Sequence, residues 1–328
     1  MKKLFTLFLA LAASVGTLFA VNGTCGANLT WDLTDGVLTI SGSGDMKNWD
    51  WEGAVPWYSY RESITSVIIG NSVTNIGPFA FVGYACLTNV TIGTSVTSIG
   101  FVAFYGCTGL AGVTIPNSVT GIGEGAFAGC TGLTSMVVEN GNTVYDSRDN
   151  CNAIIETASN TLVVGCQNTI IPSSVTGIGT DAFTYCSSLT SIEIPNGVTV
   201  IELSAFYGCT GLTSIEIPAS VKSIGDWAFA QCTGLTSVTC KAVVPPTCGG
   251  DPFAEVEKSI PLYVPENSVY AYKVATEWEY FTNIQGRIFE AIENISGNLE
   301  GFHKILHDAQ ILILRGEKTY TLTGQEVK

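Results

Sequence analysis

The chain has few residues placed to do chemistry. Its two histidines, His303 and His307, stand four apart near the C-terminal end, a spacing that lets two imidazoles on one helix face share a metal. Lys304, however, occupies the place where a zinc-protease motif needs its glutamate. No histidine occurs before His303, which excludes Ser-His-Asp or Cys-His machinery from the body of the chain. Asp45, Asp50 and Glu52 lie close in sequence, but their spacing matches no calcium loop, and they read as a solvated turn rather than a glycosidase pair. The run Gly121-Ile122-Gly123-Glu124-Gly125 reads as a repeat turn, not a strand-to-helix phosphate cradle. The expectation is a protein that is not an enzyme, with no cofactor and no metal site.

Eleven cysteines pose a different question. In an exported chain they would ordinarily be paired. Five of them, Cys107, Cys130, Cys186, Cys209 and Cys232, recur at one position of a repeated phrase. A column of like residues in a stacked structure is read as a ladder of small, buried, reduced thiols. Cys151 with Cys166, and Cys240 with Cys248, flank short loops and are the better disulfide candidates. No paired Cys-x-x-Cys spacing suggests zinc.

The repeated phrase is the element that must position everything else. One copy runs from Cys209 to Phe229. Its isoleucine recurs at Ile76, Ile99, Ile122, Ile178, Ile201 and Ile224, and its Ala-Phe step at Phe81, Phe104, Phe127, Phe183, Phe206 and Phe229. The interval is 23 residues except between Ile122 and Ile178, where 33 more are inserted. A period of this length marks a solenoid, in which each unit buries its apolar edge only against its neighbours. Within a coil, Leu212, Ile215 and Ile217 suit a short strand. Pro218 ends it, Val221 and Ile224 turn inward on a second strand, and Gly225 is expected to permit the bend that follows. Ala228 and Phe229 then enter from a helical turn, and Cys232 closes the coil.

A solenoid displays one outward side chain per coil. Between the paired inward positions, this row reads Ile68, Thr91, Thr114, Val137, Ile170, Glu193, Glu216 and Thr239. It is the candidate partner-binding face; the alternative is a solvated sheet face with no partner. The insertion near residues 141–168 carries Ala153-Ile154-Ile155-Glu156 and Thr161-Leu162-Val163-Val164 around Thr157-Ala158-Ser159-Asn160, a hairpin signature. Such a hairpin stands on one face, where it either shapes a binding groove or simply covers Val137 and Ile170.

Solenoid ends need covers. Residues 21–60 are expected to form a β cap, with a hairpin turning at Asp35-Gly36. Trp49, Trp51, Trp57, Tyr58 and Tyr60 follow it, either as a cap on the first coil or as a carbohydrate platform. The solenoid occupies 61–283, closed by a strand over residues 260–265 and a helix from Ser268 to Trp278 with Ser268 as N-cap. A linker at 284–302 and a small β tail at 303–328 complete the chain. Residues 1–20, with Lys2, Lys3 and an apolar run ending in small residues, read as a secretory signal peptide. No later run of 18 apolar residues suggests a membrane span. The net charge is −14, and −16 without Lys2 and Lys3, since 12 basic residues then face 28 acidic ones. Such a field repels nucleic acid.

The unit Leu-x-x-Ile-x-Ile-Pro-x-x-Val-x-x-Ile-Gly-x-x-Ala-Phe-x-x-Cys closely resembles the BspA-like, or Treponema pallidum-type, leucine-rich repeat over about residues 61–283. The stretch from Cys25 to Tyr60 resembles the module often found before such repeats. The first coil departs from the pattern, with Tyr84 at the cysteine position and Cys86 two places along. The last eleven residues, Lys318 to Lys328, resemble part of the C-terminal sorting domain of type IX secretion cargo. The resemblance implies an exported bacterial surface protein that adheres to host matrix or plasma proteins or to other cells, with no shared catalytic residues. The alternative is a carbohydrate-binding or nutrient-capture protein using the aromatic front cap.

Overall fold

The computed structural model describes residues 21–289 and, beyond them, the backbone strands between His303 and Val327. The expected signal peptide and most of the expected linker lie outside the described residues. The fold is a leucine-rich-repeat solenoid rich in short parallel strands. It divides into two compact units, one running to Thr169 and including Asp181–Cys186, the other comprising Ile170–Thr180 and the chain from Ser187 onward.

Most coils carry the two strands expected of them, but residues 169–172 and 191–194, around Ile170 and Glu193, form no first strand. Ser214–Ile217 pairs in parallel with Ser237–Cys240, in the register Ile215↔Val238 and Glu216↔Thr239. Ser223–Ile224 pairs with Val200–Ile201 and with Thr247–Cys248. Leu212, Ile215, Ile217, Val221, Ile224, Phe229 and Cys232 are all buried, as their spacing requires.

The third side of the coil is where the structure departs from the sequence reading. The Ala-Phe segment is a chain of turns bounded by left-handed residues, not a helical turn. The residue before Ala-Phe has φ between 45° and 62° at Phe79, Val102, Gly125 and Asp181 in the first unit, and at Ser204, Trp227 and Asp251 in the second. The residue before the cysteine position repeats this at Gly83, Gly106, Gly129, Tyr185, Gly208, Gln231 and Glu255. The alternation aims successive N–H groups in two directions. Phe206 and Gly208 donate to the next coil, at Ala228 O (2.7 Å) and Ala230 O (2.8 Å), while Tyr207 and Cys209 donate within their own coil. The backbone is thereby satisfied without regular secondary structure.

Gly225, expected to provide the bend, has another role. It does not take a left-handed φ. A Cβ there would sit 2.5 Å from Leu203 N, and Gly100 and Gly123 stand in the same relation to Pro78 N and Phe101 N. Glycine is needed because successive backbones touch. Glu202 replaces it in one coil, where its carboxylate accepts from Thr180 N–H at 3.1 Å and from the Thr180 hydroxyl at 3.3 Å.

The aromatic rings stack at the coil spacing. In the first unit the column is Trp57, Phe81, Phe104 and Phe127, with centroids 5.1–5.8 Å apart and interplanar angles of 6–21°. In the second, Phe206, Phe229 and Phe253 lie 5.2 and 5.3 Å apart at 3° and 8°. Phe253 is a rung that repeat counting missed, because Pro252 stands in place of alanine. Its N-terminal neighbour Asp251 still takes the left-handed φ of 50°.

The front cap forms as expected. Leu29–Thr34 and Val37–Gly42 pair antiparallel around Asp35 (φ 52°) and Gly36 (φ 77°), the geometry of a type I′ turn. An additional strand, Val21–Thr24, pairs on the outside, while Val37–Gly42 continues in parallel into the first coil at Ser66–Ile69.

The back cap corrects two expectations. The helix is only Val269–Lys273, and Ser268 makes no side-chain cap; its buried hydroxyl donates instead to Val243 O at 2.8 Å. Ile284–Arg287, read as the start of the linker, pairs in parallel with Leu262–Pro265 as a further strand. In the tail, His303–His307, Gln310–Arg315, Lys318–Thr321 and Glu326–Val327 form an antiparallel sheet. His303 and His307 therefore lie about 13 Å apart along a strand rather than one helical turn apart.

The insertion folds as the expected hairpin, Ala153–Glu156 against Thr161–Gly165, with Tyr145–Asp146 added to it. It does not cover Val137 or Ile170, which are 45% and 74% exposed. Its residues Tyr145, Ile154 and Val164 instead join the first unit's core with Met136 and Val138. Gly165 donates to Ala182 O at 2.8 Å and lies so close to Phe183 that a Cβ would fall 2.1 Å from the ring.

Two outcomes follow from this packing. Phe229→Ala removes a ring stacked on both sides and should cost about 3–5 kcal/mol, read by urea denaturation. Asp181 combines a left-handed φ of 57° with a carboxyl raised above its ordinary range by burial and by the nearby Glu124, against the opposing hydrogen bond from Thr184. A raised carboxyl favours the fold when protonated, and that contribution is lost as pH rises through the folded value. Asp181→Asn should therefore raise the melting temperature at neutral pH, Asn also tolerating this φ. The gain should vanish below about pH 4, where Asp is protonated in both states.

Candidate interaction surface

The proposed row must be taken unit by unit. In the first unit, Ile68 pairs across the sheet with Thr39 on one side and Thr91 on the other, and Thr114 pairs with Val137. Ile68, Thr91, Thr114 and Val137 are exposed. Alternation on each strand places them opposite the buried Val67, Val90, Val113 and Met136. This face is apolar and hydroxylic, with no charge in the row.

In the second unit, Ile170, Glu193 and Glu216 are exposed and Thr239 is half-buried. The register carries the row further than the sequence reading took it, through Thr239↔Tyr263 and Tyr263↔Gln285. Cations converge on it. Lys241 Nζ lies 2.5 Å from Glu216 Oε1, and the Arg287 guanidinium sits over the Tyr263 ring. The row thus passes from Glu193 and Glu216, the latter paired with Lys241, to Tyr263 and Arg287. Tyr263 and Arg287 were missed because neither falls within a recognisable repeat; the strand Ile260–Pro265 was legible, and its pairing partner was not.

The aromatic front cluster is mostly consumed in the core. Trp31, Trp49 and Trp57 are buried edge to face, with centroids 5.4–6.0 Å apart, and the Trp57 indole N–H donates to Ala80 O at 3.0 Å. Trp51 alone of these tryptophans is exposed. Beside them lies an open cleft of about 450 Å³ lined by Asp45, Lys47, Trp49, Cys25 and small residues. Asp45 is held by the Thr74 hydroxyl; Asp50 and Glu52 do not line the cleft. Among the described residues, no cluster of three or more His, Cys, Asp or Glu side chains is arranged to hold a metal ion. No described helix is long and apolar enough to cross a membrane.

The cysteine column is buried, and the repeat explains its chemistry. The thiols of Cys107, Cys130 and Cys232 each donate, at 3.1 Å, to the carbonyl of the stacked phenylalanine one coil earlier, Phe81, Phe104 and Phe206. Burial, and then the adjoining Cys130 thiol, push Cys107 well above the ordinary thiol range. The two pairs expected as disulfides are unbonded. Cys151 and Cys166 donate separately to Ala153 O and Asn152 O, while Cys240 accepts from Tyr272 OH at 3.1 Å and Cys248 faces Pro246 O. Burial raises all four, Cys248 to about 12 with the help of Glu277, and it raises Cys25 to about 11.

A family model described as the BspA type leucine rich repeat region matches residues 57–164 and 153–246, in six copies. Among solved structures, the chain is similar to a leucine-rich repeat protein from Eubacterium ventriosum, at 23% identity over 81% of this chain and 85% of that one, with a TM-score of 0.48. It is similar to the pneumococcal vaccine antigen PcpA at 14% identity, over 83% and 99%, with a TM-score of 0.45. It is also similar to the leucine-rich repeat protein of T. pallidum at 23%, over 65% and 91%, with a TM-score of 0.35. No curated protein matches the sequence.

Thiolate is the species that reacts with alkylating reagents, and a buried thiol is both hard to reach and costly to ionise, so burial protects the column. Brief iodoacetamide treatment of the native protein near neutral pH should label Cys86, the exposed cysteine, and leave the column untouched until denaturant is added. Peptide mass mapping reads the result. Equal labelling of Cys107 and Cys86 would mean that the column is not packed as described.

Proposed function

This chain belongs to the BspA-type leucine-rich-repeat family, and on that premise we propose that it is an exported, non-catalytic adhesion module that binds an extracellular protein across a strand face. The family's broad role in protein interaction or adhesion supports the reading. So does its general association with the cell surface or secretion. The observation that carries it is the second unit's row of Glu216 beside Lys241, Thr239, and Tyr263 beneath Arg287, with Glu193 exposed one coil earlier. Aromatic and arginine side chains are the usual anchors of protein interfaces, and charges of both signs fix register and exclude wrong partners. A shallow face of this kind suits a host matrix or plasma protein better than a metabolite, which needs a concave pocket. A glycan partner is less well served, since burial of Trp49 and Trp57 removes the platform it would use.

A screen of immobilised matrix and plasma proteins against the purified chain identifies the partner. Glu193→Lys combined with Glu216→Lys should then weaken its capture by roughly tenfold or more. Fold stability should change little, because an exposed ion pair such as Glu216–Lys241 contributes at most about 1 kcal/mol. Surface plasmon resonance at two salt concentrations measures both the loss and its ionic origin. Unaltered capture by the double variant would remove this face from the proposal.

A further inference from the structure

We propose that the C-terminal β tail of this chain docks on an apolar patch of its own back cap. The patch is made by Val243, Val244, Tyr270, Val274 and Ile288, which are 56–78% exposed. They are near one another through two contacts. The Ser268 hydroxyl at the start of the helix donates to Val243 O, and the helix leans on the last strand, where a Cβ on Gly286 would meet Val269 at 3.2 Å. Tyr270 lies on the helix and Val274 is the residue that ends it, while Ile288 directly follows that last strand. Such a concentration of large apolar side chains outside the core is a docking surface rather than ordinary scatter.

The occupant is argued from the rest of the chain. Residues 303–328 form an antiparallel sheet of four strands in only 26 residues, and a unit below about 40 residues rarely folds without help. Its strand Gln310–Arg315 has four consecutive apolar residues, Ile311 to Leu314. A sheet of that composition needs a second layer to pack on. The patch lies where the chain leaves the cap, and the 13 residues from 290 to 302 reach at most about 45 Å, so the tether places the tail at high effective concentration over it. Charge agrees in sign: residues 303–328 have four basic and three acidic side chains, against −14 for residues 21–289.

Hydrogen–deuterium exchange on the full chain tests this. In the wild type, amides of Gln310–Arg315 should be protected relative to an unstructured peptide. Val244→Glu with Val274→Glu should cut that protection by about tenfold or more while leaving the strand Ser214–Ile217 unchanged. An unprotected wild-type tail, or protection unmoved by the double variant, overturns the proposal. Should the variant loosen Ser214–Ile217 as well, lysine cross-linking of the wild type decides. Links from Lys273 to Lys304 or Lys318 within one monomer support docking, and their absence overturns it. A wild-type dimer that the double variant dissociates would instead give the patch to a second copy of the chain.

Discussion

Everything in this protein depends on a coil too thin to be stable alone. A unit of 23 residues has one layer of apolar side chains and no second layer within itself to bury them. The stacked rings supply that layer. Within each unit the stacked phenylalanines, Phe81, Phe104 and Phe127 in one and Phe206, Phe229 and Phe253 in the other, lie nearly parallel at slightly more than the spacing of adjacent strands, with centroids 5.1–5.3 Å apart. The hydrogen bonds that set this spacing run beside the rings, from Phe81 to Ala103 O and from Phe229 to Pro252 O, both at 2.8 Å. Ring stacking and backbone pairing therefore reinforce one another at every step.

The same spacing dictates the small residues of the repeat. A glycine follows most of the paired isoleucines because one backbone rests on the next. A cysteine closes the coil because a small thiol fills the remaining volume and satisfies the carbonyl of the preceding ring residue. Threonines at the corners do similar work in the open, each hydroxyl donating one coil back, as from Thr88 to Thr65 O and from Thr236 to Thr213 O. The chain can thus be poor in charge, at 13%, and still satisfy its surface backbone.

Because the core is committed to stacking, variety is confined to the outward rows, the insertion and the ends. A tryptophan ends the stack in each unit. Trp57 lies on Phe81 and Trp278 against Phe253, and each indole N–H is spent on a backbone carbonyl, of Ala80 and Pro246 respectively. Lys258 helps to close the last coil, its ammonium donating to Phe253 O and Val256 O. Apart from those corner threonines, the exposed side chains lie outside the stack. Such side chains, among them Glu193, Glu216 and Tyr270, are free to serve recognition.

The sequence by itself determined the solenoid, its register and its inward residues, because a strict period forces equivalent residues into equivalent places. It also determined the Asp35-Gly36 turn and the insertion's hairpin, which rest on local backbone preference. It could not show that Val102, Trp227 and Ser204 take left-handed φ values, since these residue types do not favour them and only the pairing of neighbouring coils imposes them. Nor could it show Phe253 as a rung, or Tyr263 and Arg287 as one contact on the face. Those depend on which strands lie side by side outside the repeat. Only the tertiary structure decides that, because the partners are far apart in the chain and no local propensity joins them.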